Sequence, residues 1–134
     1  MTVQPAAPAD APAHYVFGVT FRLAPERGVT VDPDRFETTL YRAADPPGED
    51  GWLFFRDNLW RGKLADEAEF RRLAGDALGV PVESASFSEL RTTPGHLDDL
   101  KAAIADDLGA FNADDVTEVL SKYLGSSIRV VDAE

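Results

Sequence analysis

Pairs of adjacent aspartates recur in the C-terminal part of the chain, and their regular spacing comes closest to a catalytic or metal-binding pattern. The pairs occupy residues 98–99, 106–107 and 114–115. Neighbouring carboxylates can bind a divalent cation or act together as general acid and base. A spacing of eight residues, however, rotates successive pairs by about 80° around a helix, and Gly109 separates the second pair from the third. We therefore interpret the aspartates as a solvated acidic face and predict neither a metal site nor a catalytic carboxylate pair.

The other residues that could perform catalysis are isolated from one another. The chain contains no cysteine, and its two histidines, His14 and His96, stand in no metal-binding or triad spacing. Ser84, Ser86 and Ser88 share one face of a predicted strand without a nucleophile-elbow pattern, and the glycines form no phosphate-binding motif. The sequence predicts no catalytic residue and no cofactor.

One segment, "WLFFRDNLWRGKL", differs from the rest because it joins both tryptophans to three basic side chains. Trp60 offers a flat aromatic face, and Arg56, Arg61 and Lys63 could bind carboxylate or phosphate beside it. Tryptophan and arginine are frequent anchors of protein interfaces, and basic aromatic surfaces also stack on single-stranded bases. We take these four residues as the candidate binding site.

A purely structural interpretation of the same segment stays open at this point. The apolar residues Trp52, Phe54, Phe55 and Leu59 could fill the core. In that case Trp60 would pack beneath a helix, and Arg61 would pair with one of the many acids.

The charge balance is strongly acidic. There are 24 Asp and Glu against 13 Lys and Arg, a net charge of −11, and the only lysines are Lys63, Lys101 and Lys122. Surplus short carboxylates hold water and cations, whereas lysine stems expose methylenes, so we expect a protein adapted to a salt-rich cytoplasm. Nucleic acid is an improbable partner, because the surface repels phosphate and counterion release drives little binding at molar salt.

The elements that position these residues follow from apolar periodicity. Residues 1–13 are rich in proline and alanine and predict a disordered tail, so a single domain spans residues 14–134. Alternation predicts strands at 14–23 and 35–43, joined through a turn at 25–28 and an extended stretch at 29–34. The unbroken apolar run at 52–55 predicts a central third strand.

Helical spacing begins after this segment. Asp66 and Glu69 are spaced as a capping box, and Gly79 is a stop signal. A bulged or edge strand follows at 80–91. Thr93 and Pro94 then start a second helix that Gly109 ends, Asn112 caps a third helix that Gly125 ends, and residues 127–131 form a last strand.

The predicted order is β-β-β-α-β-α-α-β. It indicates an α+β fold in which an antiparallel or mixed sheet of about five strands carries three helices on one face. The apolar runs are too short to span a membrane, and no secretory signal precedes them, so we expect a soluble cytoplasmic protein.

The motif "LWR" occupies residues 59–61, and the composition is acidic, lysine-poor and cysteine-free. Predicted strands precede the motif and predicted helices follow it. In these features the chain resembles the LWR-salt proteins. The resemblance covers most of residues 14–131. It implies a halophilic archaeal origin and an unassigned activity, and it transfers no catalytic residue, cofactor or partner.

Together these observations favour a non-catalytic protein-binding or scaffolding domain that binds a protein partner or itself. Two other functions stay open: an RNA-associated protein that uses the Trp/Arg surface, and a small-molecule enzyme whose site is assembled from scattered residues.

Overall fold

The computed structural model describes residues 3–7, 11–22 and 35–131. The elements in chain order are β1 (Ala13–Arg22), β2 (Arg35–Ala43), α1 (Phe54–Asn58), β3 (Leu59–Trp60), β4 (Lys63–Leu64), α2 (Glu67–Leu78), β5 (Val82–Thr92), α3 (Pro94–Ala105), a 3₁₀ turn (Leu108–Phe111), α4 (Val116–Tyr123) and β6 (Ile128–Val130). Within these ranges, four strands form the main sheet in the order β2-β1-β5-β6, and β3 and β4 form a small hairpin. The predicted α+β class is confirmed. The sheet is mixed, because β6 runs parallel to β5 while the other neighbours are antiparallel.

Alternation along β1 and β2 separates a buried face of the sheet from a polar one. Phe17 lies directly opposite Leu40, and both side chains are fully buried. On the other face Gly18, Thr20, Thr39, Ser84 and Ser86 line a shallow, open concavity. The two predicted strands are confirmed, and the three serines of β5 are exposed.

Strand β5 is bulged, as the sequence predicts, but it is not an edge strand along its whole length. Its ladder with β1 shifts register between Val16 and Phe17 and again between Thr20 and Phe21. At residues 90–92 it has β1 on one side and β6 on the other. A bulge inserts an extra residue into one strand, here Ser88 and again Glu83, and this accounts for the poor alternation of the segment.

The core lies between the buried sheet face and the helices. Its buried apolar residues include Tyr15, Phe17, Val19, Leu40, Phe87 and Leu90 from the sheet and Phe54, Phe55, Phe70, Leu100, Ile104 and Val119 from the helices. The Phe17 and Phe70 rings meet at 4.4 Å between centroids. Burial of each such ring contributes about 1.5–3 kcal/mol, so this aromatic layer holds α2 against the sheet.

The predicted central strand at residues 52–55 is wrong. This segment enters the short helix α1, and the Phe54 N–H already donates to the Gly51 carbonyl oxygen in a turn. Phe54 packs on Tyr15 at 4.6 Å, whereas Phe55 stacks on Phe111 at 5.6 Å. A buried apolar run has the same pattern in a helix as in a strand, and here the two rings fill different parts of one core. As a result there are four helices in the described ranges rather than the predicted three.

The predicted starts of α2 and α3 are confirmed by their caps. The Asp66 Oδ1 atom accepts the Glu69 N–H at 3.1 Å, and α2 ends before Gly79 at a φ of 74°. The Thr93 Oγ1 atom accepts the His96 N–H at 3.3 Å, with Pro94 as the first helical residue.

Two predicted helix boundaries are wrong. The α3 helix ends at Ala105, before Gly109, and α4 is capped by Asp115 rather than Asn112. The Asp115 Oδ1 atom accepts the Glu118 N–H at 2.8 Å, and the Glu118 Oε2 atom accepts the Asp114 N–H at 2.9 Å. This box has the same spacing as Asp66 and Glu69, and the 3₁₀ turn before it separates the two helices.

Part of the segment for which the sequence predicts disorder lies against β2. Gln4 and Tyr41 exchange both backbone hydrogen bonds, at 2.9 and 2.8 Å, and Val3 is buried. Val3 and Gln4 are therefore in contact with the folded unit. The predicted turn at 25–28 and extended stretch at 29–34 lie outside the described residues.

His14 is half-buried on the polar face of the sheet, and both of its ring nitrogens are inaccessible to solvent. Neither of its ring nitrogens has a hydrogen-bond partner among the described residues, and its ring meets Tyr41 edge-on at 5.5 Å. Burial lowers the pKa of His14 below its usual value. The nearby positive charge of Arg91 lowers this pKa further, while Glu89 raises it. The folded state thus favours the neutral ring.

We expect His14→Phe to stabilise the protein by roughly 1–3 kcal/mol at pH 7, since it removes polar atoms that lack partners. An unfolded histidine takes up its proton near pH 6.5. The contribution of the neutral ring to the free energy of unfolding is therefore fully present above that pH. It declines as the pH falls toward the lower pKa that His14 has in the folded state. Denaturant unfolding at pH 7 and pH 5 in molar KCl should show a smaller loss for His14→Phe than for wild type. An equal loss in the two proteins would contradict this account of His14.

Candidate interaction site around Trp60

The hairpin of β3 and β4 carries most of the candidate site. Leu59 pairs with Leu64 and Trp60 with Lys63, so Arg61 and Gly62 form a two-residue turn. Both turn residues have positive φ, 52° for Arg61 and 78° for Gly62. Tight hairpins favour this geometry, which suits glycine but costs another residue about 1–2 kcal/mol.

The backbone of this turn caps the C-terminus of α4. The Arg61 N–H donates to the Lys122 carbonyl oxygen at 2.8 Å, and the Gly62 N–H donates to the Tyr123 carbonyl oxygen at 2.9 Å. The last carbonyls of a helix have no donor within the helix and need one from elsewhere. The turn satisfies two of them and fixes its own position in doing so.

The turn and the end of α4 approach too closely for side chains. A Cβ on Gly62 would lie 3.0 Å from the Leu124 carbonyl oxygen, and one on Gly125 would lie 3.1 Å from the Arg61 carbonyl oxygen. Gly125 also has positive φ, at 63°. The tight contact and the positive φ together favour glycine on both sides.

Successive residues of β3 point in opposite directions. Leu59 is 1% exposed in the core, whereas Trp60 is 46% exposed and meets the Tyr123 ring edge-on at 5.9 Å. Packing of Trp60 beneath a helix, the structural interpretation of this residue, is wrong. The same interpretation is right for Phe54, Phe55 and Leu59, which are buried, and Trp52 is partly buried against the core.

Two cations lie beside the exposed indole. The Arg61 guanidinium carbon is 5.6 Å from the Trp60 ring centre, and the Lys122 Nζ atom is 5.9 Å from it. The Lys122 ammonium donates to the carbonyl oxygens of Phe111 and Asn112 at 3.0 and 3.3 Å. An ammonium has three protons, so one donor of Lys122 stays free.

No acid within the described ranges forms an ion pair with Arg61, Lys63 or Lys122. The expectation that Arg61 pairs with one of the many carboxylates is therefore wrong. Elsewhere pairing is common, as between Arg72 and Glu69 at 2.6 Å. The hairpin and α4 thus bring together three cations that form no ion pair within the described ranges, while Glu118 lines the same concavity as Arg61 and Lys122.

Arg56 does not join this group. It lies on α1, where its Nε atom pairs with Asp57 at 2.9 Å. The concavity beside the indole is lined by Trp60, Arg61, Glu118, Ser121 and Lys122. We call these five residues, together with Lys63, the strand partner of Trp60, the Trp60 surface. The Lys63 side chain lines a neighbouring concavity with Glu67. The sequence analysis missed Lys122, although its rarity as one of three lysines was a usable signal.

The aspartate pairs do not converge on a common point. Asp98, Asp99, Asp106, Asp107, Asp114 and Asp115 are all exposed. In the part of the chain that the structure describes, no three His, Asp or Glu side chains are placed to hold a metal ion. Over the same ranges, no helix has both the length and the apolar content needed to cross a bilayer.

The fold and site define a small acidic α+β domain with an exposed Trp-Arg hairpin docked on a helix end. The chain belongs to the LWR-salt protein family, whose model matches residues 11–134. Neither a comparison with curated proteins nor one with solved structures gave a match.

We expect Gly62→Ala to destabilise the protein by roughly 1–3 kcal/mol more than Gly79→Ala does. Both glycines have similar positive φ, 78° and 74°, but a Cβ on Gly79 meets nothing within 4 Å. The difference therefore isolates the close contact with α4 from the backbone strain that both variants share. Denaturant unfolding measures both values, and equal destabilisation would show that the turn is not tightly docked.

Proposed function

We propose that this protein is a non-catalytic protein-binding domain and that the Trp60 surface is its contact site. The observation that carries the proposal is the 46% exposed indole of Trp60, held beside cations that form no ion pair with an acid of the described residues. Tryptophan and arginine are the side chains that most often dominate the energetics of protein interfaces.

The rigidity of the surface supports binding. Trp60 sits between the turn, whose backbone is bonded to α4, and the ring of Tyr123. Association costs free energy whenever side chains must be ordered, and a side chain that is already held loses less. This hairpin presents its anchor in place before a partner arrives.

Exposure of the indole is costly without a partner. Trp60 and Val130 are the exposed large apolar residues in the described ranges, and the remaining surface is rich in charge. Concentrated salt strengthens the association of apolar groups, so an uncovered indole in a salt-rich cytoplasm favours contact with another molecule. A partner that covers Trp60 removes this cost.

The test is affinity capture from a native lysate in molar KCl, followed by titration of the purified captured protein. We expect Trp60→Ala to weaken binding about 30-fold, the effect of losing a hot spot of about 2 kcal/mol. Arg61→Asn should also weaken binding, and asparagine suits this position because it tolerates positive φ. The matched control is Lys101→Ala, which changes an exposed lysine on α3, outside the Trp60 surface.

Far-UV circular dichroism and the melting temperature should stay nearly unchanged in the three variants. Equal capture by Trp60→Ala and wild type would contradict the proposal. So would capture that disappears after nuclease treatment, because the ligand would then be RNA.

A further inference from the structure

We infer that the Trp60 surface recognises an acidic protein segment that places an apolar side chain on the indole and carboxylates on Arg61, Lys63 and Lys122. The inference rests on the proposed function and specifies the chemistry of the partner. It follows from charge complementarity, hydrogen-bonding capacity and the local role of Glu118.

Charge complementarity is the first argument. The chain has a net charge of −11 and three lysines, yet two of these lysines, Lys63 and Lys122, stand beside the exposed tryptophan together with Arg61. No acid of the described chain forms an ion pair with any of the three. A partner that carries carboxylates would neutralise this local charge.

Hydrogen-bonding capacity is the second argument. The Arg61 guanidinium has five N–H donors in a planar fork that can grip a carboxylate through two parallel bonds. Lys122 uses two donors on the Phe111 and Asn112 carbonyl oxygens, which hold its ammonium near the indole with one proton free. The N–H donors of Arg61 and Lys122 therefore lie near the indole, and some of them have no acceptor among the described residues.

The behaviour of Glu118 is the third argument. Glu118 precedes Lys122 by one helical turn, a spacing and order that normally favour an ion pair. Its carboxylate instead accepts the Asp114 N–H at 2.9 Å in the capping box of α4. The one acid that lines the concavity thus has another hydrogen-bond partner and forms no ion pair with Lys122, although a bond from a backbone N–H leaves the formal charge of a carboxylate in place.

The surface combines an apolar and an ionic contact, and this combination favours a short acidic peptide over a nucleic acid. At molar salt the Debye length is about 3 Å, so only charges in direct contact contribute to binding. Apolar burial on the indole strengthens under the same conditions, whereas phosphate binding through counterion release weakens. Binding of the peptide should therefore persist in molar KCl.

The experiment is calorimetric titration of the full chain in molar KCl with short synthetic peptides. The probe peptide carries glutamates and leucines among glycines and serines. One control peptide replaces every glutamate by glutamine, a second replaces every leucine by serine, and an oligouridylate of equal length is a separate ligand. We expect each control peptide to bind about tenfold more weakly than the probe, a loss of about 1.4 kcal/mol.

The protein variants locate the site. Lys63→Ala and Arg61→Asn should each weaken binding of the probe about three- to tenfold, the effect of losing one charge-assisted contact. Lys101→Ala should leave it unchanged. The inference is overturned if the probe fails to bind at millimolar concentration, if the glutamine peptide binds equally well, or if the oligouridylate binds more tightly.

Failure of the inference and failure of the proposed function are distinguishable. If capture of a protein depends on Trp60 but the acidic probe does not displace that protein, the proposed binding function stands and the inference of an acidic segment is wrong. If no captured protein depends on Trp60, both are wrong.

Discussion

The structure around the candidate site depends on two backbone hydrogen bonds, from the Arg61 and Gly62 N–H groups to the last carbonyls of α4. They join the hairpin to the helix across a contact too close for a side chain on Gly62 or Gly125. This contact supplies hydrogen-bond donors to the end of α4 and also fixes the position of the turn. The Trp60 indole and the Lys122 ammonium meet because of this contact.

Each residue of the LWR motif has a different physical role. Leu59 contributes a buried side chain, Arg61 contributes a backbone donor at positive φ, and Trp60 contributes an exposed ring. The fold uses the side chain of Leu59 and the backbone of Arg61, and it requires glycine at position 62. It does not require a guanidinium at position 61, where asparagine or glycine would adopt the turn with less strain. The proposed binding function assigns the side chains at 60 and 61 a contact outside the chain.

The carboxylates contrast with these cations. Asp66 and Asp115 cap helices, Glu69 and Glu83 pair with arginines, and the aspartate pairs of the C-terminal part are exposed. Acids near a helix start also interact favourably with the helix dipole. Most of the acidic excess thus has a local structural role or faces solvent. Lys101 and Arg129 also form no ion pair within the described residues, so the Trp60 surface is distinguished by the position of its cations beside an exposed aromatic ring.

The sequence by itself determined the features that depend on residues close together in the chain. These include the alternation of β1 and β2, the caps of α2 and α3, and the grouping of Trp60, Arg61 and Lys63. Only the tertiary structure decided whether residues 52–55 form a helix or a strand, because Phe54 and Phe55 pack into two separate parts of the core. It also decided the exposure of Trp60 and the position of Lys122 beside its ring. These features depend on contacts between distant segments, and local periodicity carries no information about such contacts.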